Sequence, residues 1–150
     1  MIVKISAVHL PPHAAAIISR HAQKDFPREA CGFLVGDTRD LILPSRRVIA
    51  VIPAKNTASS NRTKAYAIDP HEWLHVERQL QEKNMAILGI YHSHPDDSTL
   101  PSNEDSKYAA AWPELLYIIA AVDADGCKHM CAWLYDADSA AWQSIKIVGR

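Results

Sequence analysis

With 150 residues, 48% hydrophobic and 22% charged, the chain has the balance of an ordinary globular protein. It is read as one domain, 1–150, long enough to bury roughly 70% of its unfolded surface. A formal charge of −1 with no long basic run excludes a nucleic-acid surface and a polybasic membrane contact, and no apolar stretch nears the ~20 residues of a membrane span.

Met1 to Leu10 alternates like a strand and lacks the basic start and cleavage site of a signal peptide. The three cysteines cannot all pair internally, which favours a reducing compartment, so the protein is expected in the cytoplasm. Pro11 and Pro12 sit where a helix can begin, and His13 to Lys24 carries apolar residues at Ala16, Ile17 and Ala22 before Pro27 stops it. Cys31 to Gly36 reads as a buried strand, and Arg47 to Ile52 as another, closed by Pro53. Asp69-Pro70 caps a helix to about Lys83 with an apolar face of Trp73, Val76 and Leu80. Met85 to Tyr91 is an apolar strand, and Ser102 opens a helix to about Ala111. Leu115 to Val122 and Cys127 to Tyr135 form a hairpin about Asp123–Gly126, and Ala141 to Val148 is the last strand. Helices interspersed with antiparallel strands give an α/β mixed (α+β) class, although the strand order is not legible.

The chemistry concentrates at His92-Ser93-His94-Pro95, followed by Ser102 and Asp105. Residues two apart on a strand share a face, about 6.6 Å from one another, so both histidines at the end of the 85–91 run can converge on one ion. Two histidines, an aspartate and a water satisfy the tetrahedral count of a catalytic zinc site. Ser102 and Asp105 have a second explanation, since Ser-x-x-acid before a helix is close to a capping box. The two roles are compatible, because the helix start is also where ligands for an active site collect.

Two other patterns carry metal-binding residue types. His71-Glu72-Trp73-Leu74-His75 is literally His-Glu-x-x-His, the zincin arrangement. Its histidines lie opposite Trp73, Val76 and Leu80 and share a face with Arg78 and Glu82, as on a solvated helix surface, and the extended third-histidine form is absent. Cys127, His129 and Cys131 alternate along one strand, but without a second pair they read as core packing.

Glu29-Ala-Cys-Gly-Phe-Leu-Val-Gly36, Tyr91-His-Ser-His-Pro95 and Pro101-Ser-Asn-Glu-Asp105 together resemble the JAMM motif of the MPN-plus metalloproteases. Every fixed position of that motif is filled. The resemblance extends to Asn56 and to Tyr66-Ala-Ile-Asp-Pro70, and thins after about Tyr117. It implies an MPN-type fold with a mixed, largely antiparallel sheet flanked by helices. It also implies one Zn2+ per chain, held by His92, His94 and Asp105 with a water as fourth ligand. Glu29 is then the general base and Ser102 the donor to the oxyanion, while Ser93 points away from the metal in a structural role. Only the resemblance singles out Glu29, which otherwise reads as an exposed carboxylate at a strand edge.

The family hydrolyses peptide or isopeptide bonds, commonly after the carboxy-terminal glycine of a ubiquitin-like, β-grasp protein. A chain this short is similar to the compact prokaryotic members, so the expected partner is a small ubiquitin-like or sulfur-carrier protein. Three rivals stand beside this reading. They are a metal-free MPN scaffold for interactions, a zincin using His71, Glu72 and His75, and the same JAMM chemistry in tail-assembly or cell-wall-associated proteins.

Overall fold

A computed structural model describes residues 4–112 and 114–149 of the chain. The elements run β1 (Ala7–His9), α1 (Pro12–Asp25), β2 (Cys31–Asp37), a 3-10 turn (Thr38–Ile42), β3 (Ser45–Arg47), β4 (Ala50–Ala54) and α2 (Pro70–Gln81). They continue with β5 (Met85–His94), α3 (Asn103–Ala111), β6 (Leu116–Asp123), β7 (Gly126–Asp136) and β8 (Ala141–Val148). One eight-stranded sheet has the order β3-β1-β8-β7-β6-β5-β2-β4. Pairing is parallel at β1/β3, β1/β8 and β5/β6 and antiparallel at the other four seams. The expected mixed, largely antiparallel sheet flanked by helices is what forms.

Arg47 to Ile52 is not one strand. β3 and β4 occupy the two ends of the strand order, yet only Val48 and Ile49 separate them in the chain. The sheet therefore curls until its edges nearly meet. The Val48 amide bonds to His9 O beside one edge, and the Ile49 amide bonds to Val35 O beside the other. Pro53 does not close the strand but lies within β4, which an edge position permits because one side of the strand needs no ladder donor.

β2 and β6 read as unbroken apolar runs because both faces of the sheet are covered. Alternate side chains enter two cores. One, under α1, contains Ile18, Leu34, Tyr91 and Ile118. The other contains Phe33, Trp73, Ile90 and Tyr117, with Val76 and Leu80 of α2 and Ala109 of α3. α1 buries Ala14, Ile18 and Ala22, an i, i+4, i+8 stripe, so its inward face is rotated from Ala16 and Ile17. Gly32 leaves room for its register partner: a Cβ there would meet the Tyr91 ring and lie 2.6 Å from Ile52 O.

The first strand is shorter than the alternation of Met1 to Leu10 suggests, and Met1 to Val3 lie outside the described residues. β5 is longer than its apolar run. It continues through His94 because Ser93 and His94 pair with Ala120 and Ala121 of β6, which places both histidines inside the strand rather than beyond it. No helix among the described residues is long and apolar enough to cross a membrane.

Candidate metal centre

His92 and His94 project from β5 to the face covered by α2 and α3, as their spacing requires. α3 brings Asp105 to them. Ser102 is the N-cap, its Oγ accepting from the Asp105 amide at 3.1 Å while Asp105 Oδ2 accepts from the Ser102 amide at 2.8 Å. The capping box thus fixes the carboxylate on the first turn, where Oδ1 lies 3.1 Å from His92 Nε2 and Oδ2 lies 3.0 Å from His94 Nε2. Capping and convergence on the histidines use the same aspartate.

Glu29 enters from the segment before β2. Antiparallel pairing sets Cys31 opposite His92, which carries Glu29 to the rim of the histidine pair. Ser93, facing away from the cluster, ties this segment down: its Oγ accepts from the Ala30 amide at 2.8 Å and its own amide donates to Ala30 O at 3.0 Å. Glu29 is consequently buried, not an exposed strand-edge carboxylate.

Glu29, His92, His94 and Asp105 are each 5% exposed or less, and a ligand-type atom from each lies within 4.8 Å of the others. Three buried polar atoms here, Glu29 Oε1, His92 Nδ1 and the hydroxyl of Tyr66, have no hydrogen-bond partner. His94 Nδ1 lies 3.1 Å from Ser98 O, and since a carbonyl only accepts, Nδ1 carries the proton and Nε2 of the neutral ring carries the lone pair. That lone pair points at His92 Nε2, 3.2 Å away.

The spacing of the two imidazole nitrogens fits a small tetrahedral cation. Bonds of about 2.05 Å to such an ion put neighbouring donors about 3.3 Å apart. The two Nε2 atoms are 3.2 Å apart, and they face different oxygens of Asp105, Oδ1 at 3.1 Å from His92 and Oδ2 at 3.0 Å from His94. Imidazole nitrogens with a carboxylate oxygen are a donor set that zinc accepts.

Burial pushes the Glu29 carboxyl up to about 8, opposed by the charge of His94 and reinforced by Asp105 and Asp96. Asp105 would also be raised by burial, but the charge of His92 and the hydrogen bonds from His92, His94 and the Ser102 amide outweigh it and hold the carboxyl well below its ordinary range. Burial lowers His92, which Asp105 only partly offsets. For His94 the burial effect is overcome by Asp105 and Glu29, leaving it above its ordinary value.

A cleft of about 450 Å3 opens over the cluster, lined by Glu29, Thr63 and Lys64 and by His94, Leu100 and Ser102. All five residues expected at a site are thus in one place. Two neighbours were not singled out from the sequence as site residues. Tyr66 stacks on the His92 ring with centroids 4.4 Å apart, and Asn56 bonds to Glu29 O at 2.9 Å. Both lie in the irregular 55–69 segment, where no periodicity marks a contact; their only signal was the family-like stretch that contains them.

Among the described residues, neither rival pattern forms a group of three metal-type ligands. His71 and His75 are exposed on α2, opposite buried Trp73, Val76 and Leu80. Cys127, His129 and Cys131 do not share one face, because a register shift in the β6/β7 pairing sets Cys127 opposite Val122 and His129 opposite Ala121. Cys127 packs against the α1 core as expected, whereas Cys131 is half-buried and His129 is exposed. Among the described residues, the four-residue cluster at β5 and α3 is the group that converges.

The family profile of the prokaryotic homologs of the JAB domain matches residues 11–135. The chain belongs to that family. Within it, the chain is 33% identical over 128 residues to the desampylase of Haloferax volcanii, a match covering 83% of this chain and 87% of the relative. It is 35% identical over 103 residues to a probable TtuB-protein conjugate cleaving protease of Thermus thermophilus, covering 69% of this chain and 62% of the relative. It is 34% identical over 99 residues to a CysO-cysteine peptidase of Mycobacterium tuberculosis, covering 66% and 62%. The solution structure of a protein from Desulfitobacterium hafniense matches the fold with a TM-score of 0.80 at 26% identity, covering 95% of this chain and 92% of that one. The resemblance drawn from the JAMM motif therefore holds at the level of family and fold.

Proposed function

We propose that this JAB-family chain is a zinc-dependent metallo-(iso)peptidase. It hydrolyses the peptide or isopeptide bond after the C-terminal glycine of a ubiquitin-like or sulfur-carrier β-grasp protein. The observation that carries the reading is the buried convergence of His92, His94 and Asp105 beside an unpartnered Glu29 oxygen, under one cleft. The relatives named as a desampylase, a conjugate cleaving protease and a CysO-cysteine peptidase support the substrate class.

His92, His94 and Asp105 hold the ion. Bound there, zinc would supply the acidification of water towards a pKa of about 7 and the polarisation of a carbonyl. Glu29 would take a proton from the attacking water at its free Oε1 and return it to the leaving amine. Ser102 Oγ accepts from the Asp105 amide, so its own hydrogen remains free to donate to the oxyanion. The His94–Ser98 bond keeps the imidazole in the tautomer that ligation needs. On this reading 1–150 works as one MPN-type unit. The three free thiols suit a reducing cytoplasm, and neither nucleic acid nor membrane is a partner.

The test is cleavage of Gly-Gly-terminated carrier fusions, joined through a peptide or through a lysine side chain, by zinc-loaded protein. Wild type is expected to release the carrier. Glu29→Gln should retain the metal and lose about 10²–10⁴ in kcat, the range of a general base. Equal rates for the two proteins would sink the mechanism.

A further inference from the structure

β2 begins at Cys31, so no strand ladder holds Glu29. Its backbone is held instead by the 55–69 segment between β4 and α2. The Glu29 amide donates to Arg62 O at 2.7 Å, and Glu29 O accepts from Asn56 Nδ2 at 2.9 Å. Asn56 is also the knot of that segment. The same Nδ2 donates to Ala65 O at 3.0 Å, and Oδ1 accepts from the amides of Ala58 at 3.0 Å and Ala67 at 3.2 Å. Two donors and two acceptors of one planar amide are therefore all engaged, and the partners fix which end is nitrogen. Folded around this knot, the segment lays Tyr66 on His92 and lines the cleft with Thr63 and Lys64.

We infer that Asn56 is a positioning residue for Glu29, joining the backbone of the glutamate to the segment that forms the cleft wall. As a statement about catalysis this rests on the peptidase reading above. The arrangement demands an amide at this position. Aspartate has nearly the same shape but loses both donors, and it turns a carboxylate oxygen towards the carbonyls of Glu29 and Ala65. Tyr66 stacks on His92 and Ser93 holds Ala30, one residue along, whereas Asn56 is the side chain that bonds Glu29 itself.

Asn56→Asp is read by three measurements. On a Gly-Gly carrier fusion kcat should fall about 10–100-fold, the usual cost of a supporting hydrogen bond, with KM and bound zinc unchanged. Amide exchange at Glu29, whose N–H bonds to Arg62 O, should accelerate. Introduced into Glu29→Gln, the same change should barely alter the residual rate, because the group it positions is gone. Thr57→Val removes the Thr57 Oγ1 bond to Ala67 O within the same segment and should leave kcat near wild type. If Asn56→Asp does not fold, Asn56→Ser, which keeps one donor, is read in the same way. Wild-type kcat in the Asn56 variant, or an equal fold-loss in the Glu29→Gln background, overturns the inference. If wild type cleaves no fusion, the peptidase reading has failed, and exchange alone decides the clasp. It then stands if the Glu29 amide loosens and falls if it does not.

Discussion

Tyr91 and His92 are neighbours on β5, yet they belong to two histidine clusters of opposite character on the two faces of the sheet. Under α1, His21 Nδ1 meets Tyr91 Oη at 2.7 Å and His21 Nε2 meets Asp25 Oδ2 at 3.2 Å, so both ring nitrogens are partnered. On the other face His92 Nδ1, Glu29 Oε1 and Tyr66 Oη are unpartnered, and the two Nε2 atoms, 3.2 Å apart, share one carboxylate, that of Asp105. The residue types are nearly the same: histidine, a carboxylate and a tyrosine. What differs is satisfaction. A closed network stabilises the fold, while an open one leaves buried polar groups at a cost that a bound cation, a water or a reacting group offsets.

That contrast is open to experiment, and the largest effect belongs to the open cluster. Zinc at a thousandfold excess over its Kd should stabilise wild type by about 4 kcal/mol, raising Tm by about 8–16 °C, as measured by calorimetry with and without chelator. His92→Ala should show no such rise. A rise of equal size in that variant would place the binding elsewhere. Next, Ser102→Ala should lower kcat about 10²–10³-fold while the zinc remains bound, and the lost cap should cost about 1 kcal/mol of stability. An activity loss no larger than the stability loss explains would reduce Ser102 to a cap.

In the closed cluster the effects are smaller and bear on stability alone. Tyr91→Phe strands a His21 nitrogen and should cost about 1–3 kcal/mol by denaturant unfolding without changing zinc content. The smallest effect is on the pH profile. Burial, opposed by Asp25, holds His21 below 6.5. The unfolded chain therefore binds this proton at higher pH than the fold does, so the contribution is complete above 6.5 and is lost as pH falls through the folded value. His21→Gln should flatten that part of the stability curve, and an unchanged slope would show that the ring titrates alike in both states.

The sequence was most legible where partners are local. The period of two put His92 and His94 on one face, and Ser102 with Asp105 formed the capping box that a three-residue spacing suggests. Glu29 was illegible to spacing alone because only the antiparallel pairing of β2 with β5 delivers it, and nothing at residue 29 announces that pairing. Asn56 and Tyr66 act from a segment without regular structure, where contacts follow no period. Val48 and Ile49 continue an apolar run across the break between β3 and β4, so composition concealed the point where the curled sheet passes from one edge to the other.

The claim that the open cluster is a metal site is tested most directly by elemental analysis of purified, zinc-reconstituted protein beside His92→Ala and His71→Ala. Wild type and His71→Ala should each hold one zinc per chain, and His92→Ala none. Zinc retained by His92→Ala, zinc lost from His71→Ala, or a wild type that takes up no zinc would contradict the account.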